Sequence, residues 1–254
     1  MSHLGLQKGI IYGPILSRRL GRSLGINLLP VDKKLCSFNC VYCQYGFTDI
    51  LATSPKRELF PTVDQVVTAI EAYLKKPHSI DYITFSGNGE PTLYPEFGEI
   101  VEETVKLRNR YRPNAKLAIL SNASMISRYE IRQALTQIDK PILKLDAGDV
   151  NTFEQINGPF ADISFEDIVK GMKLVDRIII QTALFKGELG NISKKKLDNW
   201  MSVLVEIKPI EVQIYSTERP VADNRVINLD SSELKNIAKA VHIKTGLVVN
   251  PFYA

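Results

Sequence analysis

The feature that most constrains the fold of this chain is a regular alternation of short apolar segments with longer amphipathic ones. Runs typical of buried strands begin near residues 23, 81, 116, 142, 177, 211 and 247. Between them, apolar side chains recur at helical spacing, as Val63, Val66, Val67 and Ile70 do. Such alternation produces a parallel sheet covered by helices, because parallel strands need a crossover connection. The sequence therefore predicts an α/β fold of about six β-α units.

Capping residues predict where several helices begin. Thr62 with Gln65, and Ser127 with Glu130, have the spacing of a capping box. Ser164 stands before another amphipathic segment and is a predicted N-cap.

Polar residues at the ends of the predicted strands favour a barrel-like sheet over an open one. Six units fit either an open doubly wound sheet or an incomplete version of the eight-stranded barrel. Ser86, Ser121, Asp146, Gln181 and Tyr215 each end or follow a predicted strand. In a barrel these ends converge on one pocket. We therefore predict a partial (β/α)6 TIM-like barrel with parallel strands and outer helices, and a functional site at the carboxyl ends of the strands.

Composition and chain organisation set broader limits. No stretch rich in Gly, Pro or Ser divides the chain, so we expect one domain over residues 1–254, with residues 1–22 as an N-terminal extension. No apolar run approaches the ~20 residues of a membrane span, and the N-terminus lacks a signal-peptide core. We therefore expect a cytoplasmic protein with no membrane partner. The net charge of +4 permits an anionic partner without requiring one.

All three cysteines lie in residues 35–46, LCSFNCVYCQYG, as Cys36, Cys40 and Cys43. An odd number at such tight spacing does not close into strain-free disulfides. A structural zinc site needs four ligands, and no histidine lies near the motif. A four-iron cluster takes one ligand on each iron, so three thiolates would leave one iron open to a substrate or cofactor. The cluster is the favoured interpretation; a zinc site and three buried thiols are the alternatives.

The pattern Cys36-x3-Cys40-x2-Cys43, with Tyr42 before the last cysteine, resembles the signature of the radical S-adenosylmethionine (SAM) superfamily. The resemblance implies a [4Fe-4S] cluster on these cysteines, with the amino and carboxylate groups of SAM on the fourth iron and Tyr42 in the cofactor site. It also implies reductive cleavage of SAM to methionine and a 5′-deoxyadenosyl radical that abstracts hydrogen from a substrate. Superfamily members have a partial or full barrel whose cluster loop follows the first strand, as residues 30–46 do here.

A second segment, Phe85-Ser-Gly-Asn-Gly-Glu-Pro91, resembles the Gly-Gly-Glu segment of the same superfamily. By itself, Asn-Gly indicates a turn. Asn stands where the family has its first glycine, a replacement that we attribute to the tolerance of Asn for positive φ. The resemblance implies that backbone groups and the glutamate bind the ammonium group of SAM. The residues concerned are Ser86, Gly87, Asn88, Gly89 and Glu90.

Further matches extend the predicted cofactor site. Ser121 and Asn122 resemble the position that hydrogen-bonds the ribose hydroxyls, although a polar N-cap region explains them equally well. Lys144 and Asp146 share one strand face. Buried charges of this kind either pair with each other or contact a ligand, and we favour contact with a ligand. Gln181 either faces the adenosyl group or is a core amide.

Four arginines are candidate substrate contacts. Arg18, Arg19 and Arg22 lie just ahead of the first predicted strand, and Arg219 follows the sixth. They are either a solvated charge cluster or enter the barrel mouth and bind a phosphate or carboxylate.

Residues 12–27, the cysteine loop, the Ser-Gly-x-Gly-Glu-Pro-Thr-Leu segment and Leu-Lys-Leu-Asp-Ala-Gly-Asp together resemble iron–sulfur oxidoreductases akin to the radical enzymes of wyosine tRNA-base synthesis. The resemblance implies an electron donor such as a ferredoxin or flavodoxin, and a tRNA base or small metabolite as substrate. The alternatives are a glycyl-radical-enzyme activase acting on a partner protein, and a non-enzymatic zinc or electron-transfer module. No catalytic residue is predicted.

Overall fold

The computed structural model describes residues 3–217 and 219–253. Within them, eight strands form one curled sheet. In spatial order they are β1 (Ile11–Ser17), β2 (Gly21–Ile26), β5 (Tyr82–Phe85), β6 (Lys116–Ser121), β7 (Lys140–Lys144), β8 (Ile179–Ala183), β10 (Glu211–Tyr215) and β12 (Val249–Phe252). β1 runs antiparallel to β2, and the other neighbouring strands are parallel. Two short pairs complete the strands: β3 (Leu35–Cys36) with β4 (Ile50–Leu51), and β9 (Phe185–Lys186) with β11 (Ile227–Asn228).

Helices connect the parallel strands. In chain order they are α1 (Val63–Leu74), α2 (Phe97–Tyr111), α3 (Tyr129–Thr136), α4 (Val150–Asn157), α5 (Phe165–Met172), α6 (Lys194–Ile207) and α7 (Ser231–Thr245). The crossover from β7 to β8 contains α4 and α5, and each of the other five contains one helix. Six β-α units therefore follow one another, and the predicted partial (β/α)6 barrel is confirmed. β12 adds a further parallel strand beside β10.

Apolar side chains pack on both faces of the sheet. The helices bury one face each against its outside, as α1 does with Val66, Ile70 and Leu74. Inside the curl, a smaller apolar cluster lies towards the amino-terminal ends of the strands; its buried members are Leu20, Ala118, Ile142 and Ile179. The interior is thus closed by an apolar floor, and its polar side chains lie nearer the carboxyl ends.

Two elements differ from the sequence-based expectation. β1 lies within residues 1–22, where we expected only an extension, and forms a hairpin with β2. α4 was not predicted, although its ends carry clear signals: Asp149 accepts a hydrogen bond from the Thr152 backbone, and Gly158 ends the helix in the left-handed conformation. At eight residues, α4 is too short to show a helical repeat.

The predicted helix starts have mixed outcomes. The capping box of Thr62 with Gln65 forms, and so does the N-cap at Ser164. The box predicted for Ser127 with Glu130 is wrong, because α3 begins one residue later with Arg128 at the N-cap. No described helix has the length and apolar character needed to cross a membrane.

Candidate active site

Loops at the carboxyl ends of the strands surround a cavity of about 420 Å³, within the range of small-molecule sites. The cysteine loop forms one wall, and interior side chains of β7, β8 and β10 form another. Most of the predicted site residues line this cavity: Cys36, Cys40, Tyr42, Cys43, Ser86, Gly87, Gly89, Glu90, Ser121, Asn122, Lys144, Gln181, Arg19 and Arg219. The barrel topology therefore brings together residues that are nearly 200 positions apart in the sequence.

The cysteine loop is held by backbone hydrogen bonds on two sides. The Val41 N–H donates to the Ile156 carbonyl at the end of α4, with an N–O distance of 3.0 Å. The loop after β10 contacts the other side, where Asp223 N–H donates to Val41 O and Ala222 N–H donates to Cys43 O. These contacts fix the backbone of the loop.

Two of the three thiols, those of Cys36 and Cys40, have an environment that suits metal-bound thiolates. Burial raises the pKa of Cys36 to about 12 and that of Cys40 to about 11, so the thiolate forms need a positive partner. Amide groups point at both sulfurs: Asn122 Nδ2 lies 3.6 Å from Cys36 Sγ, and Asn157 Nδ2 lies 3.4 Å from Cys40 Sγ. Hydrogen bonds to sulfur of this kind tune iron–sulfur clusters.

Among residues 3–217 and 219–253, no group of three or more His, Cys, Asp and Glu side chains is gathered closely enough to hold a single metal ion. A four-iron cluster takes one ligand on each of its four irons, so three thiolates bind three irons and leave the fourth open. Three thiols that face one cavity from a single loop fit that requirement.

The segment after β5 pairs with the cysteine loop. Leu35 N–H donates to Asn88 O at 3.0 Å, and Glu90 N–H donates to Leu35 O at 3.2 Å. Gly89 lies between these bonds, and a Cβ there would be 1.7 Å from the Leu35 carbonyl oxygen. Gly87 and Gly89 have φ of +146° and +143°, values that favour glycine. The glycines therefore allow the two loops to pair at close range.

Asn88 has a different role from the one that we predicted. Its φ is not positive, since the non-glycine residues with positive φ in the described chain are Ala123, Arg177 and Lys208. The buried Asn88 side chain instead donates to Gln7 O and Pro30 O and accepts from Gln7 N–H. It joins the N-terminal segment to the cysteine loop, and it does not line the cavity.

Glu90 is 2% exposed and links the loops after β5 and β6. Its Oε1 accepts from Ser121 Oγ at 2.8 Å and from both the backbone and the hydroxyl of Thr92, and its Oε2 accepts from Asn122 N–H at 2.6 Å. Burial raises the pKa of this carboxyl, and the hydrogen bonds oppose that shift. Four donors match an ionised carboxylate, which only accepts. Ser121 and Asn122 thus hold Glu90, and their contact with ribose stays a prediction.

Asp146 connects four parts of the site. It accepts hydrogen bonds from Tyr42 OH, from Asn157 Nδ2 at 2.9 Å and from Ala183 N–H at 2.8 Å. Its Oδ1 also lies 2.9 Å from Lys144 Nζ, and its side chain is fully buried. The structure therefore shows that Lys144 pairs with Asp146. The favoured prediction that Asp146 contacts a ligand is wrong, because both of its oxygens are bonded to protein groups behind the cavity wall.

Lys144 carries a positive charge at neutral pH. Burial lowers its pKa, but Asp146 and the hydroxyl of Tyr215, 3.1 Å from Nζ, outweigh burial and raise the pKa above its ordinary value. The pKa of Tyr42 is raised well above its usual range by burial and by Asp146, so Tyr42 stays a neutral donor. Lys144 lines the cavity as a cation.

The arginines divide between the two ends of the barrel. Arg22 pairs with Asp81 at 2.9 Å, at the amino-terminal ends of β2 and β5. The barrel-mouth alternative is therefore wrong for Arg22, which is a solvated surface charge. The hairpin is the reason, since it places residues 18–22 where β2 begins. Arg18 lies exposed in the hairpin turn. Arg19 and Arg219 line the cavity.

Sequence reasoning missed several residues of the site. Tyr12 on β1 contacts Ser86, with 2.5 Å between their hydroxyl oxygens. Ser37 lies 2.9 Å from Asn122 Nδ2, and Asn157 bonds both Cys40 and Asp146. Asn157 precedes the glycine that ends α4, a C-terminus signal, but no periodicity places it beside a cysteine more than a hundred residues away.

Comparison with known proteins identifies the family. Residues 34–188 match the radical SAM superfamily. The chain belongs to this superfamily. A UPF0026 protein of Synechocystis sp. is 36% identical over 220 residues, which are 83% of this chain and 76% of that protein. A protein of Brachyspira hyodysenteriae named GTPase Obg is 33% identical over 238 residues, which are 90% of this chain. The chain spans 33% of the length of that relative.

More distant likenesses agree. The SAM-dependent tRNA 4-demethylwyosine synthase of Pyrococcus horikoshii is 22% identical over 232 residues, covering 78% of this radical SAM superfamily member and 64% of that protein. The structure of TYW1 with a lysine-pyruvate adduct has a TM-score of 0.61 at 16% identity, covering 88% of this chain and 74% of that one. The structural likeness shows a shared partial-barrel fold.

The close pairing at Gly89 gives a first prediction. Gly89→Ala should lower the free energy of unfolding by at least about 2 kcal/mol, because the added methyl group meets the Leu35 carbonyl. Gly98→Ala on α2, where nothing lies within 4 Å of the added Cβ, should raise it by about 0.5–1 kcal/mol. Urea unfolding measures both, and similar effects of the two changes would contradict the pairing.

The Asp146 network gives a second prediction. Asp146→Asn leaves Lys144 buried without a counter-charge, so the free energy of unfolding should fall by about 3–5 kcal/mol. Asp198→Asn removes one partner of the exposed ion pair with Lys244 and should have little effect on the free energy of unfolding, because water screens such pairs. Equal costs in urea unfolding would contradict the role of the network.

The same pair predicts a pH dependence. In the native protein the raised pKa of Lys144 gives stability that is present below the ordinary lysine pKa and lost as pH rises above it. In Asp146→Asn, burial dominates and depresses that pKa, so the variant regains stability as pH rises towards the ordinary value. The stability gap between the two proteins should therefore narrow from about pH 7 to about pH 10.

Proposed function

We propose that this radical SAM enzyme binds a [4Fe-4S] cluster through Cys36, Cys40 and Cys43 and binds SAM at the remaining iron. The observation that carries the proposal is that three thiols of one loop face the same cavity as the segments after β5 and β6, in a chain of this superfamily. When bound, the two groups supply a 5′-deoxyadenosyl radical that takes a hydrogen atom from a substrate.

The chain's own residues would bind and orient these groups. The amides of Asn122 and Asn157 donate to two of the three sulfurs. Glu90 fixes the backbone at Asn122, and its own N–H pairs with the cysteine loop, so we assign it as a positioning residue beside the cavity. The predicted contact of this segment with the SAM ammonium group stays part of the proposal, as do the contacts of Tyr42, Ser121, Lys144 and Gln181 with the cofactor.

The substrate, the partners and the location belong to the same proposal. A tRNA base or a small metabolite is the proposed substrate; a relative named as a tRNA 4-demethylwyosine synthase supports the first. We propose a ferredoxin or flavodoxin as electron donor, a single domain over residues 1–254 and a cytoplasmic location. No contact among the described residues favours the activase alternative, and membership of the superfamily supports an enzyme over a zinc or electron-transfer module.

Reconstitution tests the proposed cofactors. The protein prepared anaerobically should hold about four irons per chain, and on reduction with SAM present it should release methionine and 5′-deoxyadenosine. Replacing Cys36, Cys40 or Cys43 with Ala should remove or fragment the cluster. Phe47→Ala, at an exposed position near the same loop, should keep it. Zinc in place of iron, or a complete cluster in a cysteine variant, would overturn the proposal.

Glu90→Gln tests the positioning role. One amide cannot accept from both Ser121 and Asn122, because one of its two polar atoms is a donor. We expect iron content to be unchanged and SAM affinity to fall about tenfold, measured by titrating SAM against the spectrum of the reduced cluster. Glu96→Gln, which loosens the partly exposed ion pair with Arg57, should leave the affinity unchanged. An unchanged SAM affinity in Glu90→Gln would mean that residues 87–91 form a turn with no role in SAM binding.

A further inference from the structure

A row of polar side chains crosses the barrel interior, and two of its members line the cavity. Lys144, Gln181, Gln213 and Asn250 occupy matched register positions on β7, β8, β10 and β12. Side chains at matched positions of parallel strands point to the same face of a sheet. Lys144 and Gln181 line the cavity, and both carry N–H donors.

Arg19 enters the same interior from the hairpin turn. Its guanidinium carbon lies 5.1 Å from the ring centre of Tyr215 on β10 and 5.4 Å from that of Phe252 on β12. β1 and β12 are the two edges of the sheet, so Arg19 spans the open side of the curl. It also lines the cavity.

One nitrogen of the Arg19 guanidinium has no hydrogen-bond partner among the residues that the structure describes. This nitrogen, Nη1, is buried, and no acidic side chain among residues 3–217 and 219–253 forms an ion pair with Arg19. A buried cationic N–H without a partner destabilises the folded state. Contacts with two rings engage the face of the guanidinium and leave the N–H groups on its edge free for a ligand.

The charges around the cavity have the same sign as Arg19. The cationic side chains that line the cavity are those of Arg19, Lys34, Lys144 and Arg219. Among the described residues, Glu90 is the acidic residue that lines it. Glu90 already accepts four hydrogen bonds from Thr92, Ser121 and Asn122. Asp146 behind the wall also pairs with Lys144. Arg19, Lys34 and Arg219 still give the cavity an excess of positive charge, and an anionic group would complete it.

We propose that Arg19 binds the carboxylate or phosphate group of the substrate, and that the positive charge of Lys144 on the same cavity favours an anion there. This inference rests on the proposed function, because it places the substrate in the cavity that the cysteines line. Arg19 suits the role because a guanidinium binds two oxygens of one group at once, and both anions offer such a pair.

Binding of small anions tests the subsite. Acetate and inorganic phosphate serve as probes, and acetamide is the neutral match to acetate; binding to the reconstituted protein is followed by calorimetry. The charged probes should bind more tightly than acetamide, and Arg19→Gln should weaken their binding about tenfold or more. The anion affinity of Arg19→Lys should lie between those of the wild type and Arg19→Gln. Arg22→Gln, at the other end of the barrel, should leave binding unchanged.

A second readout locates the bound anion. The reduced cluster is paramagnetic and should shorten the relaxation times of ¹³C-acetate or of the ³¹P of phosphate in the wild type and much less in Arg19→Gln. Arg19→Met should keep or raise the midpoint of thermal unfolding, because it removes an unpaired buried N–H. If Arg19 only joined the two edges of the sheet, Arg19→Met would instead lower the midpoint of thermal unfolding.

The outcomes separate this inference from the proposed function. Tighter binding of phosphate or of acetate, dependent on Arg19, supports the subsite and decides which anion it takes. Equal binding of acetate and acetamide, or anion binding unaffected by Arg19→Gln, overturns it even if SAM is cleaved normally. Arg19-dependent anion binding in a protein that holds no iron would keep the subsite and overturn the proposed cofactors instead.

Discussion

The hydrogen bonds of one buried carboxylate, Asp146, hold the candidate site together. They reach Tyr42 in the cysteine loop, Asn157 at the end of α4, the backbone of Ala183 on β8 and Lys144 on β7. A carboxylate buried this deeply is stable only with such partners. The position of the cysteine loop is thus set by a charge that the fold must satisfy.

The two ends of the barrel interior have opposite character, and this decides where chemistry takes place. The apolar cluster around Leu20 closes the amino-terminal end. At the carboxyl end, the loops of neighbouring strands pair closely where glycine permits, as Gly89 does against Leu35. Buried thiols, amide donors and cationic side chains then share one cavity. A cavity partly closed to water strengthens electrostatic interactions, which suits the binding of charged cofactors and substrates.

Arg19 shows how an element remote from the motifs contributes to the site. The antiparallel hairpin adds an edge strand to a parallel sheet and carries this residue across the opening to Tyr215 and Phe252. The cysteines of the family motif line the same cavity. The shared motif therefore accounts for cofactor chemistry, and residues such as Arg19 account for what else the cavity accepts.

The sequence by itself determined the β-α alternation, six crossovers and the cysteine motif, because burial periodicity and ligand spacing are local properties. It also indicated the strand-end residues such as Ser86 and Gln181, since parallel strands share one carboxyl edge. Only the tertiary structure decided that Asp146 pairs with Lys144, that Asn157 contacts Cys40, and that Arg22 and Arg19 face different regions. These outcomes depend on hydrogen bonds and ion pairs between segments far apart in the chain, and on the hairpin geometry, which leave no periodic signal in the sequence.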